Sequence, residues 1–184
     1  MDLDTGLECK FARFDDAALS VSGDSLIEGY ASFFGDADQG GDIVTKGAYA
    51  ASLTRLATEG RQVKMLWQHD PAQPIGIWDE VREDERGLFV KGRLLDSVAR
   101  AREAAALIEA GAIDGLSIGY RTVKATKNDK GQRLLTELEL WEVSLVTFPM
   151  LPSARVGVKG DSLDGRMLRE LAAAFEDARQ EMAQ

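Results

Sequence analysis

Apolar and polar residues alternate along several stretches of the chain, in the pattern typical of half-buried β-strands. Turn-forming residues separate these stretches. Gly and Asp dominate residues 35–42, residues Glu85–Gly87 form a short break, and the sequence "NDKGQ" separates the last two stretches. We therefore predict strands over residues 7–14, 25–34, 61–68, 75–84, 87–95, 115–127 and 133–148.

Three other segments have apolar residues at helical spacing. The first two cover residues 46–60 and 97–111, and each ends in a glycine suited to a helix C-terminus, Gly60 and Gly111. The third begins at Ser162, so we expect one domain over residues 1–160 and an appended amphipathic helix over residues 161–184. The predicted apolar faces are Tyr49, Leu53 and Leu56; Val98, Ala101, Ala105 and Ile108; and Leu168, Leu171, Phe175, Ala178 and Met182.

Strands outnumber helices in this prediction, and the two do not alternate regularly along the chain. This order argues against a doubly wound parallel sheet. We predict a β-rich α+β fold in which a mainly antiparallel β-barrel is flanked by helices.

Composition narrows the classes of function. The 184 residues carry a formal net charge of -9, which disfavours binding to nucleic acid or to an anionic membrane surface. No leader pattern or long apolar segment is present in the sequence. Cys9 and His69 are the single cysteine and the single histidine, so an intrachain disulfide is excluded and no zinc-ligand spacing occurs. We expect no metal, cofactor, nucleic-acid or membrane partner.

Two residues are candidates for chemistry because of their places in the predicted strands. His69 follows an apolar strand and precedes a proline-containing loop, a position suited to a general base. Ser117 lies in "DGLSIGYR", where strand parity places Ser117, Gly119 and Arg121 on the face opposite to Leu116, Ile118 and Tyr120. Each has a simpler interpretation: a histidine satisfied by a backbone carbonyl, and a polar strand face turned to solvent.

The third candidate is Glu142, in "LELWEVSLVTFP". Parity puts Glu142 and Ser144 on one face with Leu138, Leu140 and Val146, and puts Glu139 on the other face. A buried carboxylate needs a partner, which is either the His69 imidazole or an arginine such as Arg121 or Arg155. Together the three candidates have the composition of a serine hydrolase triad in the chain order His, Ser, Glu, without a "GxSxG" motif.

Five separated segments resemble, in the right order, the prohead maturation proteases of tailed phages and phage-derived gene transfer agents. They are "GYASFFGDADQGGDIVTKGAY", "VKMLWQHDPAQPIG", "GLFVKGRLL", "DGLSIGYR" and "ELWEVSLVTFPMLPSARV", and the resemblance runs from about Gly29 to Val156. This family is similar in fold to herpesvirus assemblin, so the resemblance implies an assemblin-like barrel and a protease domain over residues 1–160.

The resemblance implies catalytic roles for His69, Ser117 and Glu142, with Glu139 as the competing carboxylate. Assemblin uses a second histidine as the third group, and this chain has none. Gly119 is expected to leave room for the substrate, while the loop "FPMLPSAR" and Arg155 are expected to help stabilise the oxyanion. Arg121 is assigned either to the site or to a salt bridge.

The implied substrates are the N-terminal extension of the major capsid protein, the scaffold and the protease itself, inside an assembling procapsid in the bacterial cytoplasm. A homodimer is expected by analogy with assemblin. Two alternatives remain at this point. One is a catalytically inactive capsid-assembly or scaffold protein on the same fold, and the other is a small esterase with the same triad.

Overall fold

The computed structural model describes residues 8–11, 20–22, 25–38 and 40–147. This part of the chain contains nine strands and two helices, and none of its helices is long and apolar enough to cross a membrane. The elements are β1 (Glu8–Phe11), β2 (Ser20–Ser22), β3 (Leu26–Phe33), β4 (Ile43–Val44), α1 (Ala50–Thr58), β5 (Lys64–Trp67), β6 (Asp70–Glu83), β7 (Gly87–Leu94), α2 (Ala99–Glu109), β8 (Gly115–Lys127) and β9 (Arg133–Val146).

One sheet contains all of these strands, in the order β1-β8-β9-β5-β6-β7-β3-β2, with β4 beside the start of β9. Neighbouring strands on this path are antiparallel except for β5, which runs parallel to β9, as β4 does. The sheet curls until β8 approaches β3. The β-rich α+β class is therefore confirmed, and the described strands form a curled mixed half-barrel with β1 and β2 at its ends, where we predicted a mainly antiparallel β-barrel.

A single apolar cluster fills the inside of the curl. Strands β8 and β9 contribute one face each, with Ile118 opposite Val143 and Leu116 opposite Leu145. The Trp78 indole N–H crosses the core to donate to the Val143 carbonyl at 3.2 Å. Burying this face fixes β8 and β9 firmly and leaves their other face available for polar groups.

Both predicted internal helices are present, and each ends two residues before its predicted glycine. Gly60 and Gly111 have φ of 63° and 69°, the left-handed conformation expected after a helix C-terminus. Helix α1 contacts β9 and β6, and α2 contacts β2, β6 and β7. In α2 the fully buried positions are Ala101, Ala104 and Ile108, so the stripe is centred on Ala104 where we predicted Ala105, which is half-buried.

A bulge in β9 overturns the predicted parity of that strand. Glu142 is paired with Gly119, but the next pair along the ladder is Leu140 with Tyr120. Trp141 is therefore an extra residue, and it moves Leu140 to the core face. Regular alternation had predicted that Leu138 and Leu140 share a face with Glu142. In the structure they lie on the opposite face.

The remaining differences concern short or irregular pairings. β2 and β4 were not predicted, because two- and three-residue strands carry too little alternation to be recognised. β6 begins at Asp70, where a proline-containing loop was expected, and its pairing with β5 is irregular there. The predicted helix over residues 161–184 and its boundary lie outside the described residues.

Candidate active site

Strand β8 holds Ser117 on the outer, polar face of the half-barrel. Ser117 is paired with Ser144 of β9 on one side and with Phe11 of β1 on the other. Its neighbours Leu116 and Ile118 point into the core, which fixes the strand. Ser117 is fully buried, so the simpler interpretation, a serine on a solvent-facing strand face, is wrong.

His69 lies in the two-residue turn that joins β5 to β6. Both turn residues, Gln68 and His69, have positive φ, 53° and 60°, as a type I′ hairpin turn requires. Neither is glycine, so each conformation costs about 1–3 kcal/mol and persists because surrounding contacts hold it. The Gln68 N–H donates to the Leu145 carbonyl at 2.9 Å, and the His69 N–H donates to Ser144 Oγ at 3.1 Å. Strain of this kind is common at functional sites.

Glu142 connects these elements. Its side chain is buried, with 5% exposed, and Oε1 lies 2.6 Å from His69 Nδ1. A carboxylate only accepts hydrogen bonds, so Nδ1 carries the proton of this contact, and in the neutral form of this tautomer Nε2 is the basic nitrogen. Oε2 accepts a 2.5 Å hydrogen bond from Ser144 Oγ. Of the partners considered from sequence, the structure therefore selects His69.

Gly119 provides the space that this carboxylate occupies. A Cβ atom at position 119 would lie 2.1 Å from Glu142 Oε1 and 2.9 Å from its carboxyl carbon. The absence of a side chain is thus explained by the carboxylate. The expected role of Gly119 in admitting the substrate stays a prediction.

Glu139 has different partners. It binds Arg55 at 2.6 Å and also forms an ion pair with Arg121, with which it is paired in the ladder. Because of the bulge at Trp141, Glu139 lies on the same face as Glu142 and lines the same cleft, where parity had placed it on the opposite face. Arg121, left open from the sequence, forms the salt bridge.

A cleft of about 610 Å³ opens beside His69. His69 and Glu142 form part of its wall, together with Leu66, Pro71 and Trp141. Trp141, the bulged residue, is 44% exposed and offers an apolar surface next to the histidine. Clefts that bind small ligands typically have volumes of roughly 300–1,000 Å³, so a side chain of a bound peptide fits here.

Sequence analysis missed two features of the site, the contacts of Ser144 and the bulge at Trp141. Two of its candidates, Arg155 and the whole loop "FPMLPSAR" that contains it, lie outside the described residues. Ser144 contacts both His69 and Glu142, and its only sequence signal was a second polar residue in phase with Glu142. The bulge left no signal. Within the described ranges, no group of three or more His, Cys, Asp or Glu side chains is arranged to hold a metal ion.

Comparison with known proteins gives consistent matches. The family model for caudovirus prohead serine proteases matches residues 14–167. The prohead protease of Enterobacteria phage HK97 is 33% identical over 162 residues, which cover 85% of this chain and 70% of that protein. The bacteriophage T4 capsid assembly protease superimposes with a TM-score of 0.62 at 18% identity, covering 78% of this chain and 98% of that chain, which shows a common fold. On the length of the family match, this chain belongs to the caudovirus prohead serine protease family.

Proposed function

We propose that this protein is a serine endopeptidase of capsid maturation, with Ser117 as nucleophile, His69 as general base and Glu142 as the group that orients the base. The observation that carries the proposal is the 2.6 Å contact between the chain's single histidine and a buried carboxylate, on the sheet face that also holds Ser117. The family membership supports a protease, and the geometry supports this division of roles.

The chemistry follows from the proton arrangement. His69 Nε2 takes the proton from Ser117 Oγ as the oxygen attacks a peptide carbonyl, and backbone N–H groups stabilise the oxyanion. The imidazolium then protonates the leaving amine, and water hydrolyses the acyl-enzyme through the same base. Throughout, the Glu142 carboxylate accepts the hydrogen bond from His69 Nδ1–H, and it stabilises the charge of the imidazolium. We keep Arg155 and the loop "FPMLPSAR" as the proposed oxyanion donors.

The substrate is proposed from the relatives. The T4 protein is described as a capsid assembly protease and the HK97 protein as a prohead protease. We therefore infer that this chain cleaves the N-terminal extension of a major capsid protein precursor, and scaffold, inside an assembling procapsid in the host cytoplasm. The cleft beside His69 would receive a side chain of the substrate strand next to the scissile bond.

We also propose that the complete domain closes the half-barrel in the manner of assemblin and self-associates as a homodimer. The curl that brings β8 towards β3 supports closure. Analytical ultracentrifugation of the full chain tests the dimer, and a monomer at every concentration would contradict it.

The central experiment incubates the purified full chain with a capsid protein precursor and determines the new N-terminus by mass spectrometry. We expect cleavage at a defined position, and a loss on the order of 10⁵- to 10⁶-fold in kcat for Ser117→Ala and for His69→Ala. Ser97→Ala, at an exposed serine before α2, is the matched control and should cleave at the parental rate. Cleavage at the parental rate by both Ser117→Ala and His69→Ala would show that the proposed triad is wrong.

A fluorophosphonate probe distinguishes the alternatives. Labelling at Ser117 that is lost after denaturation of the protein supports an activated nucleophile. A folded wild-type protein that neither labels nor cleaves would favour the inactive capsid-assembly protein. Hydrolysis of simple esters without cleavage of the precursor would favour the esterase.

A further inference from the structure

The hydroxyl of Ser144 joins two parts of the candidate site. Ser144 lies on β9 and is fully buried. Its Oγ donates to Glu142 Oε2 at 2.5 Å and accepts the backbone N–H of His69 at 3.1 Å. A hydroxyl has one proton to donate and can also accept, so the Ser144 hydroxyl is a donor to Glu142 and an acceptor from His69 at the same time.

With the contact between His69 Nδ1 and Glu142 Oε1, the hydrogen bonds form a closed ring through three residues. Each carboxylate oxygen of Glu142 takes part in a hydrogen bond of this ring, so the carboxylate cannot rotate without breaking a buried hydrogen bond. The cost of leaving such a group unsatisfied is larger than the net value of an ordinary hydrogen bond. The ring therefore holds the carboxylate in its contact with the imidazole.

The same hydroxyl acts on the backbone of His69. His69 has φ of 60°, a conformation that a non-glycine residue keeps only when its surroundings hold it. The N–H bond to Ser144 is such a contact, and it comes from the residue paired with Ser117 in the ladder. Ser144 thus connects the turn that carries His69, by a hydrogen bond, to the strand that carries Ser117, by the pairing of the two strands.

We propose that Ser144 is a positioning residue, whose hydroxyl fixes both the Glu142 carboxylate and the His69 turn. Its effect on catalysis rests on the proposed function, whereas its effect on the histidine does not. Ser144 acts through Glu142 and His69, and no contact with substrate is required of it.

Proton NMR tests the proposal without substrate, because His69 is the single histidine and its spectrum has no overlap from other imidazoles. We expect a low-field Nδ1–H signal in the wild-type full chain, and its loss or broadening in Ser144→Ala. Peptidase assays should show kcat lowered by about 10- to 100-fold in Ser144→Ala with KM within about two-fold, as when a partner that orients a functional histidine is removed. Ser144→Thr, which keeps the hydroxyl, should restore most of both readouts.

Ser52→Ala is the matched control. Ser52 is also a buried serine, and its Oγ accepts the Leu140 N–H at 2.9 Å, a hydrogen bond that is not part of the ring of Ser144, Glu142 and His69. It should lower the melting temperature and keep the low-field signal and kcat. If Ser144→Ala does not fold, Ser144→Cys keeps the volume with a weaker donor and should lose the same signal.

An unchanged low-field signal and kcat in a folded Ser144 variant without the hydroxyl would overturn the proposal. Loss of the signal in Ser144→Ala, together with a wild-type chain that cleaves nothing, would uphold the positioning role and refute the proposed peptidase activity. The two failures are therefore distinguishable.

Discussion

Glu142 and Glu139 lie on the same strand and line the same cleft, yet their partners differ in kind. Glu142 is buried and contacts His69 and Ser144, whereas Glu139 binds the exposed guanidinium groups of Arg55 and Arg121. A carboxylate that orients a catalytic histidine contributes far more to the rate than one in exposed ion pairs. At the scale of single residues, this difference in partners is the reason for proposing Glu142, and not Glu139, as the group that orients His69.

The pair Glu142→Gln and Glu139→Gln tests this difference. We expect Glu142→Gln to lower kcat on the order of 10³- to 10⁴-fold, because the amide cannot hold the imidazole tautomer in the same way. Glu139→Gln should change kcat by no more than a few-fold, with a small loss of stability. Initial rates on a peptide substrate measure both, and abolition of cleavage by Glu139→Gln alone would show that the wrong carboxylate was chosen.

At the scale of elements, the β6–β7 hairpin is closed by one side chain. Asp84 accepts hydrogen bonds from the Tyr30 hydroxyl at 2.7 Å, from the Arg86 N–H at 2.8 Å and from Arg82 at 2.8 Å. Burial alone would raise the pKa of Asp84, but these hydrogen bonds, first that from Tyr30, outweigh it and hold the pKa below its usual value. The ionised carboxylate thus links the turn to strand β3.

Replacing this carboxylate should weaken the hairpin in a pH-dependent way. Asp84→Asn should lower the free energy of unfolding by about 1–3 kcal/mol at neutral pH, as for hydrogen bonds to a charged group. Because the folded pKa is depressed, the stabilisation is complete above the unfolded pKa of about 3.8 and is lost as the pH falls through the folded value. Urea unfolding from neutral pH to about pH 3 should therefore show the difference between wild type and variant shrinking at the acidic end.

Asp79→Asn is the control on the same hairpin. Asp79 pairs with Arg93 across the two strands, and both side chains are more than a third exposed. An exposed pair contributes about 0–1 kcal/mol, so the loss should be small. An equal loss in both variants would contradict the special role of Asp84.

At the scale of the whole molecule, one apolar core joins both halves of the sheet. Leu88 of β7 is fully buried in it and lies far along the sheet from β8 and β9. Leu88→Ala should lower the free energy of unfolding by about 2–5 kcal/mol and leave kcat per folded molecule unchanged. Near-ultraviolet circular dichroism and Trp fluorescence should give one shared midpoint, and two separate midpoints would contradict a single core.

Regular alternation was enough to predict the long strands, and glycine positions were enough to predict the helix ends. Prediction from alternation failed where the pairing between strands is irregular. The bulge at Trp141 changed the face of Leu138, Leu140 and Glu139, because a bulge depends on the partner strand and leaves no mark in the local pattern. The strands β2 and β4 were missed because they are too short to show alternation, and they are recognised only by their pairing with β3 and β9.

The amino-acid sequence alone was enough to predict the strand-rich class, the resemblance to a protease family, and a short set of candidate polar residues in a chain with one histidine. These depend on local periodicity, motif order and composition, which are properties of the chain alone. Tertiary structure decided that His69 contacts Glu142, that Glu139 binds arginines, and that Ser144 joins the histidine turn to β9. Those contacts join residues from different strands, a turn and a helix, and only the folded sheet with its helices brings them together.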